Sequence, residues 1–230
     1  MLQRMLAEKE VELNNISIIV SGGAVLKKDL IQDTFNKLGP VLFNLYGSSE
    51  AGLSAMATPQ DLKIAPGTIG KELAGVQLKI LNDRHQDIMA GSIGRICIKS
   101  NWTIKVAANN NLIETGDLGY KDENGYYFLC GRVDEMIISG GENVYPQHLE
   151  EALLQHHSIK DAYVMGVHDN DFGQRLMAYV VPHKYNQVNK ELLYSWLRNK
   201  VPAYYIPSQI IMVDELPYNS LGKIKKAEMD

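Results

Sequence analysis

The sequence has few cysteines, no long apolar run and no basic block, and each absence excludes a class of protein. Only two of its 230 residues are cysteines, Cys97 and Cys130, and they stand far apart with no metal-ligand partner nearby. A disulfide framework and a zinc site are therefore both unexpected, and a reducing compartment fits. The apolar runs, such as residues 16–20, are too short to span a membrane, and no apolar signal region opens the sequence. We expect a soluble, cytoplasmic protein.

The net charge of the chain is also small, because 23 basic residues against 27 acidic ones leave a formal charge of −4. Without a basic cluster it is a weak candidate for binding nucleic acid or an anionic membrane. Apolar residues make up 45% and charged residues 22% of the chain, as in ordinary globular proteins. This composition excludes a disordered or collagen-like chain.

Hydrophobic periodicity in the first part of the chain predicts a parallel β-α-β unit. A surface-helix pattern over residues 2–13 precedes a buried-strand pattern at 15–20. Helical spacing over 26–38 stops at Gly39-Pro40, and a second strand follows at 41–46. Strands and a helix of these lengths form a parallel unit with a crossover helix. Because a parallel sheet needs cover on both faces, we expect this unit to belong to the middle of a larger fold.

From about residue 67 the pattern changes to short strands and turns. Strand patterns at 76–81, 94–100 and 126–130 predict an antiparallel sheet or small barrel. A mixed module follows, with strands expected at 136–138, 159–167, 176–181 and 210–213 and helices at 146–156 and 190–201. The predicted fold class is α/β plus α+β, with domains at 1–132 and 133–230.

Glycine-containing turns follow several of these strand patterns, and each has a structural alternative. In Ser21-Gly22-Gly23-Ala24, glycines at a strand end let a ligand approach the backbone, although a tight turn before a helix is the simpler explanation for that segment alone. The segment 46–50, Tyr-Gly-Ser-Ser-Glu, offers an aromatic face for a base, hydroxyls for phosphate oxygens and a carboxylate for Mg²⁺. A helix N-cap at Ser48 or Ser49 explains it equally well.

Three later segments add polar groups of the same kind. Asp117, in Thr-Gly-Asp, can accept hydrogen bonds from both ribose hydroxyls or simply occupy a turn, and Arg132 follows it after one predicted hairpin. Gly140 and Gly141 give a surface free of side chains that suits a narrow ligand arm, or a loop leading into a helix. Lys223 follows a glycine and suits neutralising a phosphate or carboxylate, or belongs to a solvated basic tail.

Taken in order, these segments resemble the AMP-forming acyl-CoA synthetase and adenylation superfamily. The resemblance is carried by the blocks SGGAVL, NLYGSSEAG, PGTIGK, GRICIKS, TGDLGY, NGYYFLCGRVDEMIISGGENVYP and LPYNSLGKIKK. Each block is moderately specific, and the ordered set, which runs along nearly the whole chain, is highly specific. The resemblance implies that residues 1–132 are the tail of a large AMP-binding domain and residues 133–230 a mobile small domain with a hinge near Asp134.

The resemblance also implies a nucleotide site. Its members would be Gly23, Ala24, Asn44, Leu45, Tyr46, Gly47, Ser48, Ser49, Asp117, Arg132 and Lys223. In this set Tyr46 would stack on the adenine that Gly23 and Ala24 border, and Asp117 would bind the ribose hydroxyls with help from Arg132.

Catalytic roles are implied for Ser49 and Lys223. Ser49 replaces the family's usual threonine beside the α-phosphate and the substrate carboxylate, and Lys223 would contact the same two groups. Glu50 would coordinate Mg²⁺. Gly140 and Gly141 would line the channel for the pantetheine arm of coenzyme A.

The resemblance therefore implies part of an ATP-dependent ligase that joins a fatty or aryl carboxylic acid to coenzyme A, with ATP/AMP, Mg²⁺ and coenzyme A as cofactors. Two departures stand out: the family's phosphate loop of the type TSGTTGxPK is absent, and the stretch at 101–112 is short. We expect the C-terminal portion of a longer enzyme, unable to adenylate alone and prone to associate as a homo-oligomer through an exposed apolar face. The alternatives are an enzyme that loads a carrier-protein phosphopantetheine and a non-catalytic nucleotide-binding or assembly fragment.

Overall fold

The computed structural model describes residues 2–7, 15–48, 51–100, 112–183, 188–219 and 223–229. The chain divides into two compact units. Unit 1 comprises Met1–Leu129 with Ser220–Lys223, and unit 2 comprises Cys130–Asn219 with Ile224–Asp230. The predicted functional division at 132/133 and the hinge at Asp134 stay predictions.

Unit 1 begins with a four-stranded mixed sheet in the order β1-β2-β3-β4. The elements of this first part of unit 1 are α1 (Leu2–Ala7), β1 (Ile19–Gly22), α2 (Lys28–Leu38), β2 (Leu42–Ser48), β3 (Gly52–Ala57), α3 (Pro59–Ile64) and β4 (Lys71–Glu72). β1 and β2 are parallel and are connected through α2, which confirms the predicted β-α-β unit. β1 begins later than the apolar pattern at 15–20, because β2 starts only after the Gly39-Pro40 break and Ile19 is the residue that pairs with Leu42.

The chain turns from β2 into an antiparallel strand, so the helix N-cap alternative for Ser48 is wrong. Ser48 pairs with Gly52, and the Ser48 side-chain oxygen accepts a hydrogen bond from the Ala51 backbone N–H at 3.1 Å. The next helix, α3, begins at Pro59, where Thr58 and Asp61 form a capping box. The small and apolar segment 52–57 lacks clear alternation, which is why periodicity did not reveal β3.

The second sheet has the order β5-β6-β7-β8, and its β5–β6 and β6–β7 pairs are antiparallel, in agreement with the predicted antiparallel sheet. Its strands are β5 (Val76–Leu81), β6 (Gly94–Ser100), β7 (Ile113–Lys121) and β8 (Tyr127–Arg132), and the boundary between the two units falls inside β8. Within unit 1, the Tyr127 N–H donates to the Gly70 carbonyl and the Tyr127 carbonyl accepts from the Ile69 N–H, which ties the segment after α3 to this sheet. The side chain of Tyr127, the first residue of β8, is buried, and its hydroxyl donates to the Leu78 carbonyl at 2.8 Å.

Unit 2 is an α+β module around one five-stranded sheet. Its elements are β9 (Ile137–Ser139), β10 (Glu142–Val144), α4 (Pro146–Leu154), β11 (Ile159–Asp169), β12 (Gly173–Pro182), α5 (Lys190–Arg198), a 3-10 turn (Ala203–Tyr205), β13 (Gln209–Met212) and a final 3-10 turn (Lys226–Glu228). The order is β10-β9-β12-β11, with β13 parallel to β12. The two helices supply Leu149, Leu153, Leu193 and Leu197 to the core, all fully buried.

The opposite face of the unit 2 sheet is covered by the last part of the chain. Tyr179 and Val181 of β12 pack with Leu216 and Met229 in a second buried cluster. The Tyr179 hydroxyl donates to the Met229 carbonyl at 2.7 Å. The C-terminal segment is therefore an integral layer of this unit. None of the helices in the described part of the chain is long and apolar enough to cross a bilayer.

Candidate functional site

The carboxyl ends of β1 and β2 lie side by side in unit 1. The parallel register pairs Gly22 with Leu45, so the turn at Gly23 and Ala24 comes next to Tyr46. Gly23 has a positive φ of 79°, and both turn residues are exposed. Parallel strands end at one common edge, which is where ligands bind in open α/β sheets.

Tyr46 points from this edge into the core of unit 1. Along β2 the buried residues alternate, and Leu42, Asn44 and Tyr46 share the inward face. Tyr46 is only 7% exposed and packs in a cluster with Ala55 and Ile69. The Asn44 amide donates to the Thr68 carbonyl at 3.0 Å, a buried structural bond, whereas Leu45 is partly exposed on the other face.

Gly47 and Ser48 continue β2 beyond Tyr46. A Cβ at Gly47 would lie 2.4 Å from the Gly52 carbonyl oxygen, so only glycine lets β2 and β3 approach here. Ser48 holds the turn through its bond with Ala51. The predicted phosphate-contacting Ser49 and the predicted Mg²⁺ ligand Glu50 lie outside the described residues.

Asp117 is held in an irregularity of β7. Opposite β6, Leu118 pairs with Arg95 and Glu114 with Cys97, so three residues of β7 stand against Ile96 alone. The bulge contains Thr115, Gly116 and Asp117, and Gly116 supplies the required positive φ of 78°. Bulges of this kind re-aim side chains near functional sites, and here the Thr-Gly-Asp motif forms the bulge itself.

The bulge brings Asp117 to Tyr46. The Tyr46 hydroxyl donates to the Asp117 carboxylate with an oxygen–oxygen distance of 2.7 Å and lies 3.1 Å from the Thr115 hydroxyl. Thr115 in turn donates to the Ile96 carbonyl at 3.0 Å and accepts from the Asp117 N–H at 3.1 Å. The structure thus joins two predicted site residues that are far apart in sequence.

Arg132 and Asp134 form an ion pair in unit 2, with Arg132 Nε 2.9 Å from an Asp134 carboxylate oxygen. The hydrogen bond from Arg132 lowers the pKa of the Asp134 carboxyl. Asp117 belongs to unit 1 and Arg132 to unit 2, so their convergence on one ribose stays a prediction.

Gly140 and Gly141 form the turn between β9 and β10, with φ values of 59° and 91°. The Gly140 N–H donates to the Phe172 carbonyl at 3.1 Å, which fixes this turn against the turn between β11 and β12. The half-exposed Phe172 ring lies over Gly140, and the Arg175 guanidinium lies 5.4 Å from the centre of that ring. The predicted pantetheine-lining turn therefore has an aromatic and a cationic neighbour that the sequence did not reveal.

Lys223 is exposed and immediately precedes Ile224, which forms an isolated antiparallel bridge with Tyr218. Tyr218 donates to the Asp161 carboxylate at 2.8 Å, and burial together with that carboxylate raises its pKa far above the usual value. On the other side, Lys226 donates to the Glu135 carboxylate at 2.7 Å. The described residues on both sides of Lys223 are thus anchored to the unit 2 sheet and to the segment before β9.

No cluster of three or more His, Cys, Asp or Glu side chains suited to a metal ion occurs within the described ranges. Both cysteines are free and buried, and burial raises the pKa of Cys97 to about 11 and that of Cys130 to about 12. They are inert thiols rather than nucleophiles.

Comparison with known proteins identifies the family. Residues 1–106 match the model of the AMP-binding enzyme family, and residues 148–223 match the AMP-binding enzyme C-terminal domain. The chain belongs to this adenylate-forming family, which confirms the resemblance inferred from the ordered motifs.

Several characterised relatives are ligases. The chain is 29% identical to the indoleacetate–CoA ligase of Aromatoleum aromaticum over 99% of its own length and 47% of that protein. It is 27% identical to a fatty acid–[acyl-carrier-protein] ligase of Streptomyces coeruleorubidus over 100% of its own length and 47% of that protein. The o-succinylbenzoate CoA synthetase of Bacillus subtilis, solved in complex with its acyl-adenylate intermediate, superposes with a TM-score of 0.82 at 29% identity, over 100% of this chain and 49% of that one. The chain spans about half the length of the relatives it matches.

Proposed function

We propose that the protein forms part of an ATP-dependent ligase that activates a fatty or aryl carboxylic acid as an acyl adenylate and passes the acyl group to the thiol of coenzyme A. The observation that carries the proposal is the contact between Tyr46 and Asp117, beside the glycine turn at the edge where β1 and β2 end. The family supports the same reaction class, since its relatives include several CoA ligases.

The chemistry explains why a nucleotide is needed. A carboxylate is a poor acyl donor, because its oxygen is a poor leaving group. When a carboxylate oxygen attacks the α-phosphorus of ATP, pyrophosphate departs and the acyl carbon gains AMP as a good leaving group. The attack gathers negative charge at the α-phosphate, where the Lys223 ammonium and the Ser49 hydroxyl would stabilise it. The thiol of the acceptor then attacks the acyl carbon, the bond from carbon to the phosphate oxygen breaks, and AMP leaves.

In this scheme the residues of unit 1 hold adenosine. Tyr46, Gly23 and Ala24 would contact the base, and Asp117 would accept hydrogen bonds from the ribose. Glu50 would contribute a carboxylate to a Mg²⁺ ion, which supplies charge neutralisation at the phosphates when bound.

The acceptor thiol is proposed to reach the site along the turn at Gly140 and Gly141. The segment Gly-Gly-Glu-Asn, followed after one residue by Tyr-Pro, resembles acyl- or aryl-CoA ligases more than peptide-synthetase domains, which favours free coenzyme A. The carrier-protein ligase among the relatives supports a phosphopantetheine on a carrier protein as the second candidate. Competition between coenzyme A and a holo-carrier protein for a supplied acyl adenylate separates the two.

We expect the 230-residue chain to bind AMP but not to catalyse exchange of labelled pyrophosphate into ATP with any of a panel of fatty and aryl acids. The physical reason is that the sequence has the residues proposed to contact adenosine but no glycine- and hydroxyl-rich loop for the triphosphate. Isothermal titration calorimetry with AMP and a pyrophosphate-exchange assay measure the two properties, with Asp117→Ala as the binding control. Absence of AMP binding would refute the proposed nucleotide site, and robust exchange would refute the predicted inactivity. AMP binding combined with self-association and no acyl transfer would favour the non-catalytic fragment.

A further inference from the structure

The Tyr46 hydroxyl has a specific partner although its ring is almost wholly buried. A buried phenol needs a hydrogen-bond partner, and in the interior of unit 1 the Tyr46 hydroxyl has two, the Asp117 carboxylate and, at 3.1 Å, the Thr115 hydroxyl. The 2.7 Å separation from the Asp117 oxygen is typical of a charge-assisted bond, which is shorter and stronger than a neutral one.

Asp117 is restrained at its backbone as well as at its carboxylate. Its N–H donates to the Thr115 hydroxyl at 3.1 Å, and Thr115 is itself bonded to the Ile96 carbonyl at 3.0 Å. The bulge therefore fixes the backbone of Asp117, and with it the point from which the side chain projects from β7. The side chain keeps two torsions, of which the last, the rotation of the carboxylate, is soft in aspartate. The bond from Tyr46 to one carboxylate oxygen restrains that torsion.

We propose that the Tyr46 hydroxyl is a positioning group that orients the Asp117 carboxylate toward the ribose diol of the bound nucleotide. The inference rests on the proposed function, because it takes Asp117 as the ribose-binding residue. A carboxylate only accepts hydrogen bonds, so it binds the two hydroxyls of a ribose best when its plane is set beforehand. Tyr46 thereby acts on sugar recognition through Asp117, in addition to the base contact predicted for its ring.

The test compares nucleotides that differ only in the diol. Tyr46→Phe removes one oxygen and keeps the ring, and calorimetry on the 230-residue chain measures the affinity for AMP and for 2′,3′-dideoxy-AMP. We expect the variant to lose about tenfold in affinity for AMP, in the range for a hydrogen bond to a charged group, while the affinity for the dideoxy nucleotide stays within about twofold. The preference of the protein for the diol should shrink accordingly.

Tyr126→Phe is the matched control. Tyr126 also donates to an aspartate of unit 1, Asp61, at 3.0 Å, but neither residue belongs to the proposed site. This control should leave both affinities unchanged. If Tyr46→Phe weakens both nucleotides equally, the hydroxyl acts on the fold in general and the proposal is overturned. It is also overturned if neither affinity changes.

A double-mutant cycle checks that the effect passes through Asp117. In the Asp117→Ala background, the further change Tyr46→Phe should have no additional effect on AMP binding, because the group to be oriented is gone. An equal loss in both backgrounds would contradict the inference. If Asp117→Ala weakens AMP but Tyr46→Phe does not, the proposed ribose contact stands and only this inference fails. Failure of the unaltered chain to bind AMP overturns the proposed function, and the inference falls with it.

Discussion

The aspartates of unit 1 illustrate how one residue type serves separate tasks. Asp117 accepts from Tyr46 at the candidate nucleotide site, whereas Asp61 accepts from Thr58 and Tyr126 at the start of α3. Burial alone would raise the pKa of Asp61, but these hydrogen bonds and the charge of Lys71 together lower it. Asp61 is therefore an ionised structural residue.

Asp61→Asn should lower the free energy of unfolding at neutral pH and change it little at acid pH. A lowered folded-state pKa contributes stability that is present above the unfolded pKa of about 3.9 and is lost as the pH falls through the folded value. We expect a loss of about 1 kcal/mol at pH 7, the usual cost of a broken helix cap, measured by urea unfolding, and a smaller loss at pH 3. Asp83→Asn is the control, because Asp83 pairs with Arg95 while 82% exposed and should contribute little. An equal loss for Asp61→Asn at both pH values would contradict this assignment.

At the scale of elements, the sequence predicted those parts that repeat a pattern. The β-α-β unit, β5 and β6, and the helices of unit 2 follow from alternation and helical spacing, and the helices prove a little shorter than predicted because their last turns are irregular. β3 and β7 were missed. β7 carries Thr-Gly-Asp in its middle, and residues that favour turns conceal a strand when the strand contains a bulge.

The candidate site likewise has a part that the sequence predicts and a part that it does not. The residues Tyr46 and Asp117 could be singled out because motifs are local in sequence. Their hydrogen bond could not be predicted, since it depends on the register of β6 with β7 and on the inward face of β2. Likewise, no spacing rule places Phe172 on Gly140, because that contact joins the tips of two separate hairpins.

We expect the local stability of the segment that carries Lys223 to depend on Tyr218. Tyr218→Phe removes the bond to Asp161, which holds the start of this segment to β11 at 2.8 Å, and should raise the local opening of the segment severalfold. Tryptic cleavage after Lys223 and Lys225 under native conditions measures that opening. Tyr204→Phe, at another partly exposed tyrosine of unit 2, is the control and should leave the cleavage rate unchanged. Unchanged cleavage in Tyr218→Phe would show that the apolar contacts of Leu216 and Ile224 suffice.

At the scale of the whole molecule, the proposed function assigns one half of the chemistry to each unit. Unit 1 contains the Tyr46–Asp117 pair at a strand-end edge, which suits a nucleotide. Unit 2 contains the glycine turn beside Phe172 and Arg175, which suits the arm of a thiol cofactor. Transfer of an acyl group from AMP to a thiol needs both, whereas a lysine that neutralises the α-phosphate is needed only while the adenylate forms.

Lys223→Ala should therefore spare the thioester-forming half-reaction. Supplied with a preformed acyl adenylate and coenzyme A, the chain is expected to release AMP and acyl-CoA above the uncatalysed rate, and Lys223→Ala should leave that rate within about twofold, because its charge is not required for displacement of AMP. Asp117→Ala should slow the same reaction about tenfold by weakening the hold on the ribose. Mass spectrometry of the thioester, with the reaction lacking protein as the baseline, provides the measurement. If Lys223→Ala slows thioester formation as much as Asp117→Ala does, the lysine also acts in the displacement of AMP, and its assignment to adenylate formation alone is wrong.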